Sequence, residues 1–133
     1  MSFWKTLQRQ PRTISLFTND IASNIKSQKC LQLLKGDVSH RFDVEIANRF
    51  PTWDQLQYMR TSCPQGPVSL QRQIPKLDSV LKYKHTDPTF GMDLQKCVQR
   101  GLWNPKEALW VDWENKLVGN EPADIDKYII QRK

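Results

Sequence analysis

The sequence predicts an α/β protein whose core is a mixed four-stranded β-sheet flanked by helices. Three observations support this fold class. A β-branched and aromatic stretch near the N-terminus is followed by helix signals, a capping box occurs at residues 52–55, and residues 108–119 carry a β-hairpin signal. Strands that alternate with helices pair in parallel, whereas the strands of a hairpin are antiparallel, so the expected sheet is mixed.

Residues 13–19, TISLFTN, predict the first strand because they are rich in β-branched and aromatic side chains. Asn19 and Asp20 end this stretch, and either side chain can accept hydrogen bonds from the free amides of a following helix. We expect that helix to run from about Ile21 to Lys35 and to stop at Gly36, because glycine commonly ends helices.

Residues 42–46, FDVEI, alternate apolar and acidic side chains, which is the period of a half-exposed strand and favours an edge position. A helix is predicted after Pro51, because Thr52 and Gln55 have the T-x-x-Q spacing of a capping box. The apolar side chains of this helix fall on one side, namely Trp53, Leu56, Met59 and Cys63.

The middle of the chain predicts a helical insert. Residues 63–67, CPQGP, contain two prolines and predict a turn, and a short helix is expected after Pro75. Residues 85–91, HTDPTFG, predict a loop, and another helix is expected to start near Met92 or Asp93.

The C-terminal part predicts a hairpin and a last helix. Residues 108–113, ALWVDW, and residues 116–119, KLVG, are the two strands, with the turn at Glu114 and Asn115. The last helix is expected from about Asp124, which would cap it.

The predicted order is therefore β-α-β-α-helical insert-β-β-α. Two strands joined through a helix pair in parallel with a right-handed crossover, and the hairpin adds two antiparallel strands. This is the thioredoxin-like arrangement, and a ferredoxin-like α+β sheet is the alternative that the pattern leaves open. A chain of 133 residues suffices for one ordinary core, so residues 13–133 are expected to form a single domain.

Charge and cysteine content limit the function classes. Twenty Lys and Arg against 14 Asp and Glu give +6 at pH 7, which favours anionic partners, but the basic residues are scattered. The three cysteines lack regular spacing and indicate neither a disulfide framework nor a zinc ligand set. No cofactor motif is present, and no apolar run approaches the roughly 18 residues of a membrane span. We expect no bound metal, no bound cofactor and no membrane segment.

Residues 1–12 differ in composition from the rest of the chain. They carry Lys5, Arg9 and Arg12, and no acidic residue occurs before Asp20. A basic, acid-free and weakly amphipathic start is typical of a mitochondrial transit peptide. We therefore predict a mitochondrial targeting segment at residues 1–12, although the strand predicted directly after it requires any cut to stay close to Pro11.

Three segments carry a resemblance to a known family: TISLFTND at residues 13–20, FGMDLQKCVQRGLWNP at residues 90–105 and LWVDWENKLVG at residues 109–119. Together with the basic start, they resemble the fungal family of mitochondrial redox proteins with a thioredoxin-like fold, over essentially the whole chain. The resemblance implies a mitochondrial location, an oxidoreductase activity and one active-site cysteine, at the position held here by Cys97.

The chain also departs from ordinary thioredoxins. Thioredoxins and glutaredoxins place C-x-x-C or C-x-x-S just after the first strand, whereas residues 18–27, TNDIASNIKS, contain no cysteine. Cys30 follows inside the predicted helix, where we expect a packed side chain. A standard dithiol oxidoreductase is not expected.

Cys97 has features of a reactive thiol and of a packed one. It lies near the start of a predicted helix, whose positive end favours a thiolate, and Lys96 and Arg100 are within one turn; both effects lower a thiol pKa. Against this, Leu94 lies on the same apolar side, and Asp93 carries the wrong charge. Cys97 is the candidate catalytic residue, with packing as the open alternative.

Two other side chains are weaker candidates. Cys63 is expected to be a core residue that closes its helix. Alternatively, it acts as a resolving thiol for Cys97, which requires the Cα atoms of the two cysteines to lie within about 7 Å. His85 could serve as a base for Cys97 if folding brings the two together. His40 and His85 lie too far in sequence from any acid pair to suggest a triad.

Three functions follow. In the first, the Cys97 thiolate attacks a disulfide or a small electrophile, and glutathione, as cosubstrate, resolves the product; the partners are then small-molecule thiols, disulfides or electrophiles. The second is a non-catalytic thioredoxin-fold interaction module, whose basic face docks on an acidic partner in a mitochondrial assembly. The third, RNA binding through net charge, comes last because no recognised motif supports it.

Overall fold

The computed structural model describes residues 12–36 and 42–130. Its sheet has the strand order β2-β1-β3-β4, formed by β1 (Arg12–Phe17), β2 (Phe42–Ala47), β3 (Leu109–Asp112) and β4 (Leu117–Gly119). β1 pairs with β2 in parallel, and β3 is antiparallel to both β1 and β4. The predicted mixed α/β architecture with a four-stranded sheet is confirmed, and β2 lies at an edge of the sheet as expected.

The helices alternate with these strands and include an insert between β2 and β3. They are α1 (Ile25–Lys35), α2 (Trp53–Ser62), α3 (Gly66–Gln73), α4 (Leu77–Val80), α5 (Leu94–Gln99) and α6 (Pro122–Ile125), which continues as a π-helical turn (Asp126–Ile130). Within the described ranges, every helix is too short or too polar to cross a lipid bilayer.

The two faces of the sheet carry separate apolar clusters, because successive side chains of a strand point to opposite faces. Ile14 and Leu16 of β1 face the cluster that includes α1 and α6. Phe17 faces the larger cluster, which is built with side chains from α2, α3, α4 and α5. The helical insert and the segment that contains Cys97 therefore pack on one face of the sheet, and α1 and α6 pack on the other.

The start of α2 follows the sequence prediction. The Thr52 hydroxyl accepts a hydrogen bond from the Gln55 amide at 3.1 Å, and the Gln55 side chain accepts one from the Thr52 amide at 3.0 Å. Two of the amides that a helix start leaves free are thus satisfied within four residues. The capping box is confirmed, and Cys63 is the C-cap residue that closes α2.

The predicted start of α1 at Ile21 is wrong. The helix begins at Ile25, and Asn24 is its N-cap, with its side-chain oxygen accepting from the Ser27 amide at 2.9 Å. The Asn24 amide group also donates to the carbonyl oxygens of Pro105 and Glu107, both at 2.9 Å. These long-range bonds stabilise the cap at Asn24, while Asp20 instead holds the preceding turn.

Two further boundaries differ from the prediction. The stretch predicted only as a turn at residues 63–67 leads directly into α3, which starts at Gly66 with a proline in its first turn. The last helix begins at Pro122 with Glu121 as its N-cap, and not at Asp124. In both places a proline provides the backbone conformation of a helix start. The sequence prediction had treated the prolines of residues 63–67 as a turn signal.

The first strand begins one residue earlier than predicted. β1 begins at Arg12, which pairs with Phe42, so the predicted targeting segment 1–12 overlaps the first strand by one residue. Residues 1–11 lie outside the described residues.

Candidate functional site

The helix that carries Cys97 begins at the carboxyl ends of the two parallel strands. The Leu94 amide donates to the carbonyl oxygen of Asn48, which follows β2, at 2.8 Å. The side chain of Asn19, which follows β1, donates to the side-chain oxygen of Gln95 at 3.0 Å. Ligand sites of α/β sheets lie outside the carboxyl ends of the strands, so α5 occupies the end of the sheet where a site is expected.

The start of α5 is fixed by Asp93. Its carboxylate accepts a hydrogen bond from the Gln95 amide at 2.8 Å, and its backbone forms an isolated bridge with Arg49. The predicted start near Met92 or Asp93 is confirmed. The same carboxylate places a negative charge one turn before Cys97, as the sequence indicated.

The end of α5 is a Schellman motif around Gly101. The Gly101 amide donates to the Val98 carbonyl at 3.1 Å, and the Leu102 amide donates to the Cys97 carbonyl at 2.8 Å. Gly101 has a φ of 74°, a left-handed conformation that favours glycine. In this motif the side chain at the position of Cys97 commonly contacts the residue after the glycine, and Cys97 and Leu102 are indeed both buried in the same cluster.

Cys97 is fully buried, with 0% of its surface exposed. Burial raises the pKa of its thiol to about 11, the negative charge of Asp93 adds to the rise, and Arg100 opposes it. At pH 8 a thiol with that pKa is ionised in roughly one molecule in a thousand. The expectation of a lowered pKa is therefore wrong in direction, because loss of hydration outweighs the charge of Arg100.

The other two cysteines are also packed. Cys30 is 0% exposed and Cys63 is 2% exposed. Burial raises the pKa of Cys30 to about 12 and that of Cys63 to about 11. Both predictions of core cysteines are confirmed. All three thiols are free, and Cys63 and Cys97 belong to the same apolar cluster, so a resolving role for Cys63 stays a prediction.

His85 lies against α2. Its ring meets the Trp53 ring edge-on, with 6.3 Å between centroids, and the imidazole is exposed. The two side chains line a groove of about 380 Å³ together with Thr52 and Asp54, and Cys97 is not among the lining residues. The candidate base therefore contacts Trp53, and His40 lies outside the described residues.

An ion-pair network lies at the same end of the sheet as α5, and the sequence analysis did not predict it. Lys26 of α1 and Arg72 of α3 each contact both Glu107 and Glu121, at distances between 2.6 and 3.1 Å. The hydrogen bonds from Lys26 and then Arg72 lower the pKa of Glu121. The four side chains join a helix on each face of the sheet to the segments that flank β3 and β4, so no local pattern could indicate them.

The described residues form grooves elsewhere as well. One of about 380 Å³ follows β4, with the exposed apolar side chains of Val68 and Tyr128 among its lining residues. Another, of about 300 Å³, lies at the end of β2 and includes Ile46 and Arg49. Neither includes Cys97 in its lining.

Comparison with known proteins agrees with the resemblance. A family model described as a protein of unknown function, DUF1687, matches residues 4–121. The chain is 44% identical over 129 residues to a Candida glabrata protein named "Putative redox protein FMP46, mitochondrial", with 97% of this chain and 98% of the relative covered.

Proteins of the same name give two further matches. The Kluyveromyces lactis protein is 44% identical over 119 residues, which cover 90% of this chain and 89% of the relative. The Eremothecium gossypii protein is 31% identical over 129 residues, which cover 97% of this chain and 94% of the relative. The predictions of the family and of a mitochondrial location are confirmed. This chain therefore belongs to the DUF1687 family, and the three fungal relatives above carry the name of a mitochondrial redox protein.

Proposed function

We propose that this protein is a mitochondrial thiol oxidoreductase with a thioredoxin-like fold, in which Cys97 is the reacting residue. The observation that carries the proposal is the position of α5, which begins on the loops after β1 and β2 at the carboxyl end of the parallel pair. The fold is supported by the strand order, with a parallel pair joined through α1 and an antiparallel hairpin beside it. The names of the relatives support redox chemistry.

The proposed reaction needs one protein thiol. The Cys97 thiolate attacks one sulfur of a disulfide, so that a mixed disulfide forms and the other sulfur leaves as a thiolate. A glutathione thiolate then attacks the external sulfur of the mixed disulfide and releases Cys97 as a thiolate. A second glutathione thiolate then attacks the mixed disulfide between glutathione and the substrate, which releases oxidised glutathione and the second substrate thiol. Two glutathione molecules are thus oxidised and one disulfide is reduced. No second protein thiol takes part.

The buried state of Cys97 sets a condition on this chemistry. With 0% exposure and a pKa raised to about 11 by burial, the thiol is protected in the folded conformation. Reaction therefore proceeds through a local opening that exposes Cys97 to substrate and water. α5 is suited to such an opening, because it has only six residues and ends at Gly101.

The rate of alkylation of each cysteine by iodoacetamide tests the proposal, with the sites identified by mass spectrometry. We expect Cys97 to react at least about tenfold faster than Cys30 and Cys63, at a rate that low concentrations of urea leave unchanged, as for a local opening. Oxidised glutathione should form an adduct at Cys97 that reduced glutathione removes. If all three cysteines react at one rate that rises steeply with urea, Cys97 is exposed only by global unfolding and the proposal fails.

A second function is a non-catalytic interaction module on the same fold. It is favoured by the burial of all three thiols, each with a pKa raised to about 11 or 12. In that case the Cys97→Ala variant keeps the protein's biological role, whereas the oxidoreductase proposal predicts that the variant loses it. Growth of a strain that carries Cys97→Ala as the only copy, with Cys63→Ala as the control, distinguishes the two functions.

We further propose that the N-terminal segment directs import into mitochondria. Since β1 begins at Arg12, cleavage must precede that residue to leave the sheet complete. Replacement of Lys5 and Arg9 by glutamine should abolish import of a fluorescent fusion, while the unfolding midpoint of the purified variant stays unchanged. Import at the normal level would exclude this role.

A further inference from the structure

The positive charge of this protein is compensated on one part of its surface and uncompensated on another. At the end of the sheet, the charges of Lys26 and Arg72 are balanced by Glu107 and Glu121. No such acidic partner within ion-pair distance is found, among the described residues, for the cations around α5. The cations beside that helix therefore carry uncompensated charge, as other exposed lysines and arginines of this chain with a net charge of +6 do.

Three exposed cations lie on α5 or beside its C-terminal end. Lys96 and Arg100 are both exposed and lie four residues apart, which places them on the same side of the helix. The Lys76 Nζ lies 3.9 Å from the position that a β-carbon on Gly101 would occupy, so its ammonium stands beside the residue that follows Arg100. We name these three side chains, Lys76, Lys96 and Arg100, the α5 cationic face.

Two carboxylates occur near this face and offset only part of its charge. Asp93 lies at the start of α5, where its carboxylate accepts the hydrogen bond of the Gln95 amide. Asp78 is two residues from Lys76 at the start of α4, and side chains two residues apart do not face each other on a helix. The α5 cationic face thus keeps a net positive charge.

The shape and chemistry of the face favour a macromolecule with carboxylates. The three cations are exposed, and none of them lines the three grooves described above. Bases of single-stranded nucleic acids need exposed aromatic side chains for stacking, whereas Trp103, Trp110 and Trp113 are each 2% exposed or less. Both observations favour an acidic protein surface over RNA.

We propose that the α5 cationic face is a docking surface for an acidic protein. The partner would place a cluster of Asp or Glu side chains against Lys76, Lys96 and Arg100, so that the attraction steers association and weakens as salt screens it. The inference does not depend on thiol chemistry, and the Cys97→Ala variant should dock equally well. It locates the interaction on the helix that carries Cys97.

The test uses poly-L-glutamate as the acidic probe and the isotopically labelled full chain. In a low-salt titration followed by NMR, we expect the amide shifts of residue 76 and residues 94–102 to move most, and the effect to fade as salt is added. Shifts that are spread over all basic residues, or that centre on α1, overturn the proposal. This mapping uses the wild-type protein, so it does not depend on any variant's folding.

A pair of charge-matched variants gives the second measurement. The double variant Lys96→Gln and Arg100→Gln should bind poly-L-glutamate about tenfold more weakly at low salt. The control, Lys29→Gln and Lys35→Gln, removes the same charge from exposed positions of α1 on the other side of the sheet, and its affinity should stay within about twofold of wild type. Equal losses in the two variants overturn the proposal. So does tighter binding of polyuridylate than of poly-L-glutamate at this face, which would identify an RNA site.

Discussion

Raising the pH from 8 to 10 should destabilise this protein through its three buried thiols. Cys30, Cys63 and Cys97 are each 2% exposed or less, and burial raises their pKa values to about 12, 11 and 11. In the unfolded chain the same thiols ionise near 9, so the unfolded state loses protons in a pH range where the folded state keeps them. A group whose pKa is raised by folding contributes stability that is complete below its unfolded pKa. That stability is lost as the pH rises towards the folded pKa.

The size of the effect follows from these values. At pH 10 a thiol with a pKa of 9 in the unfolded chain and 11 in the folded chain weakens folding by about 1.4 kcal/mol relative to pH 8. Cys30 contributes about the same amount, because its folded pKa of about 12 also lies above pH 10 and the folded state keeps the proton. The three thiols together remove about 4 kcal/mol, a large part of the 5 to 15 kcal/mol that is usual for a single domain.

Urea unfolding followed by circular dichroism at pH 8 and pH 10, under reducing conditions, measures this difference. Each single Cys→Ala variant should reduce the pH-dependent loss by about 1.4 kcal/mol, whatever its own effect on stability at pH 8. The result for Cys97→Ala tests whether this thiol is protonated and buried in the folded protein. If Cys97→Ala leaves the pH-dependent loss at the wild-type value while Cys30→Ala and Cys63→Ala reduce it, Cys97 is not a protonated buried thiol. The argument from burial would then be refuted.

Three other outcomes are expected. Asp93→Asn keeps a capping side chain but removes the charge that adds to the raised pKa of Cys97. The pKa of this thiol in the folded protein, followed by its Cβ NMR shift as the pH is raised above 8, should therefore fall; an unchanged pKa contradicts the role of this charge. Gly66→Ala places a methyl group against a backbone carbonyl of α2 and should cost about 3 kcal/mol or more by urea unfolding, which an unaltered midpoint would disprove. Lys26→Met should cost about 1 kcal/mol at pH 7. The pKa of Glu121 is lowered in the folded protein, so its ion pair stabilises the fold above the unfolded pKa of this carboxyl and is lost on acidification. The cost of Lys26→Met should therefore shrink below pH 4. Equal costs at pH 7 and pH 3 would argue against the ion-pair network.

Local signals account for the parts of the fold that the sequence predicted well. The capping box of Thr52 and Gln55 uses hydrogen bonds between residues three apart, so the sequence alone determines the start of α2. The hairpin of β3 and β4 and the start of α5 at Asp93 are likewise encoded within a few residues. The order of these elements then indicates which strands pair in parallel, and the resemblance identified the family and its compartment.

Helix boundaries that depend on distant partners could not be predicted. α1 starts at Asn24 because that side chain caps the helix and also binds carbonyl groups 81 and 83 residues away. Asn19 and Asp20 satisfy the same local rule for an N-cap, and no local pattern distinguishes them from Asn24. Tertiary hydrogen bonds selected one of three acceptable caps.

Cys97 shows most clearly which properties the sequence determines and which ones the tertiary structure determines. The sequence by itself determined that this thiol lies in a short helix between a lysine and an arginine, and that an aspartate precedes it by one turn. Only the tertiary structure decided that the thiol is fully buried, with its pKa raised. The physical reason is that helix position and neighbouring charges are local properties. Dehydration of a thiol depends instead on side chains from several helices and strands, which the fold alone brings together.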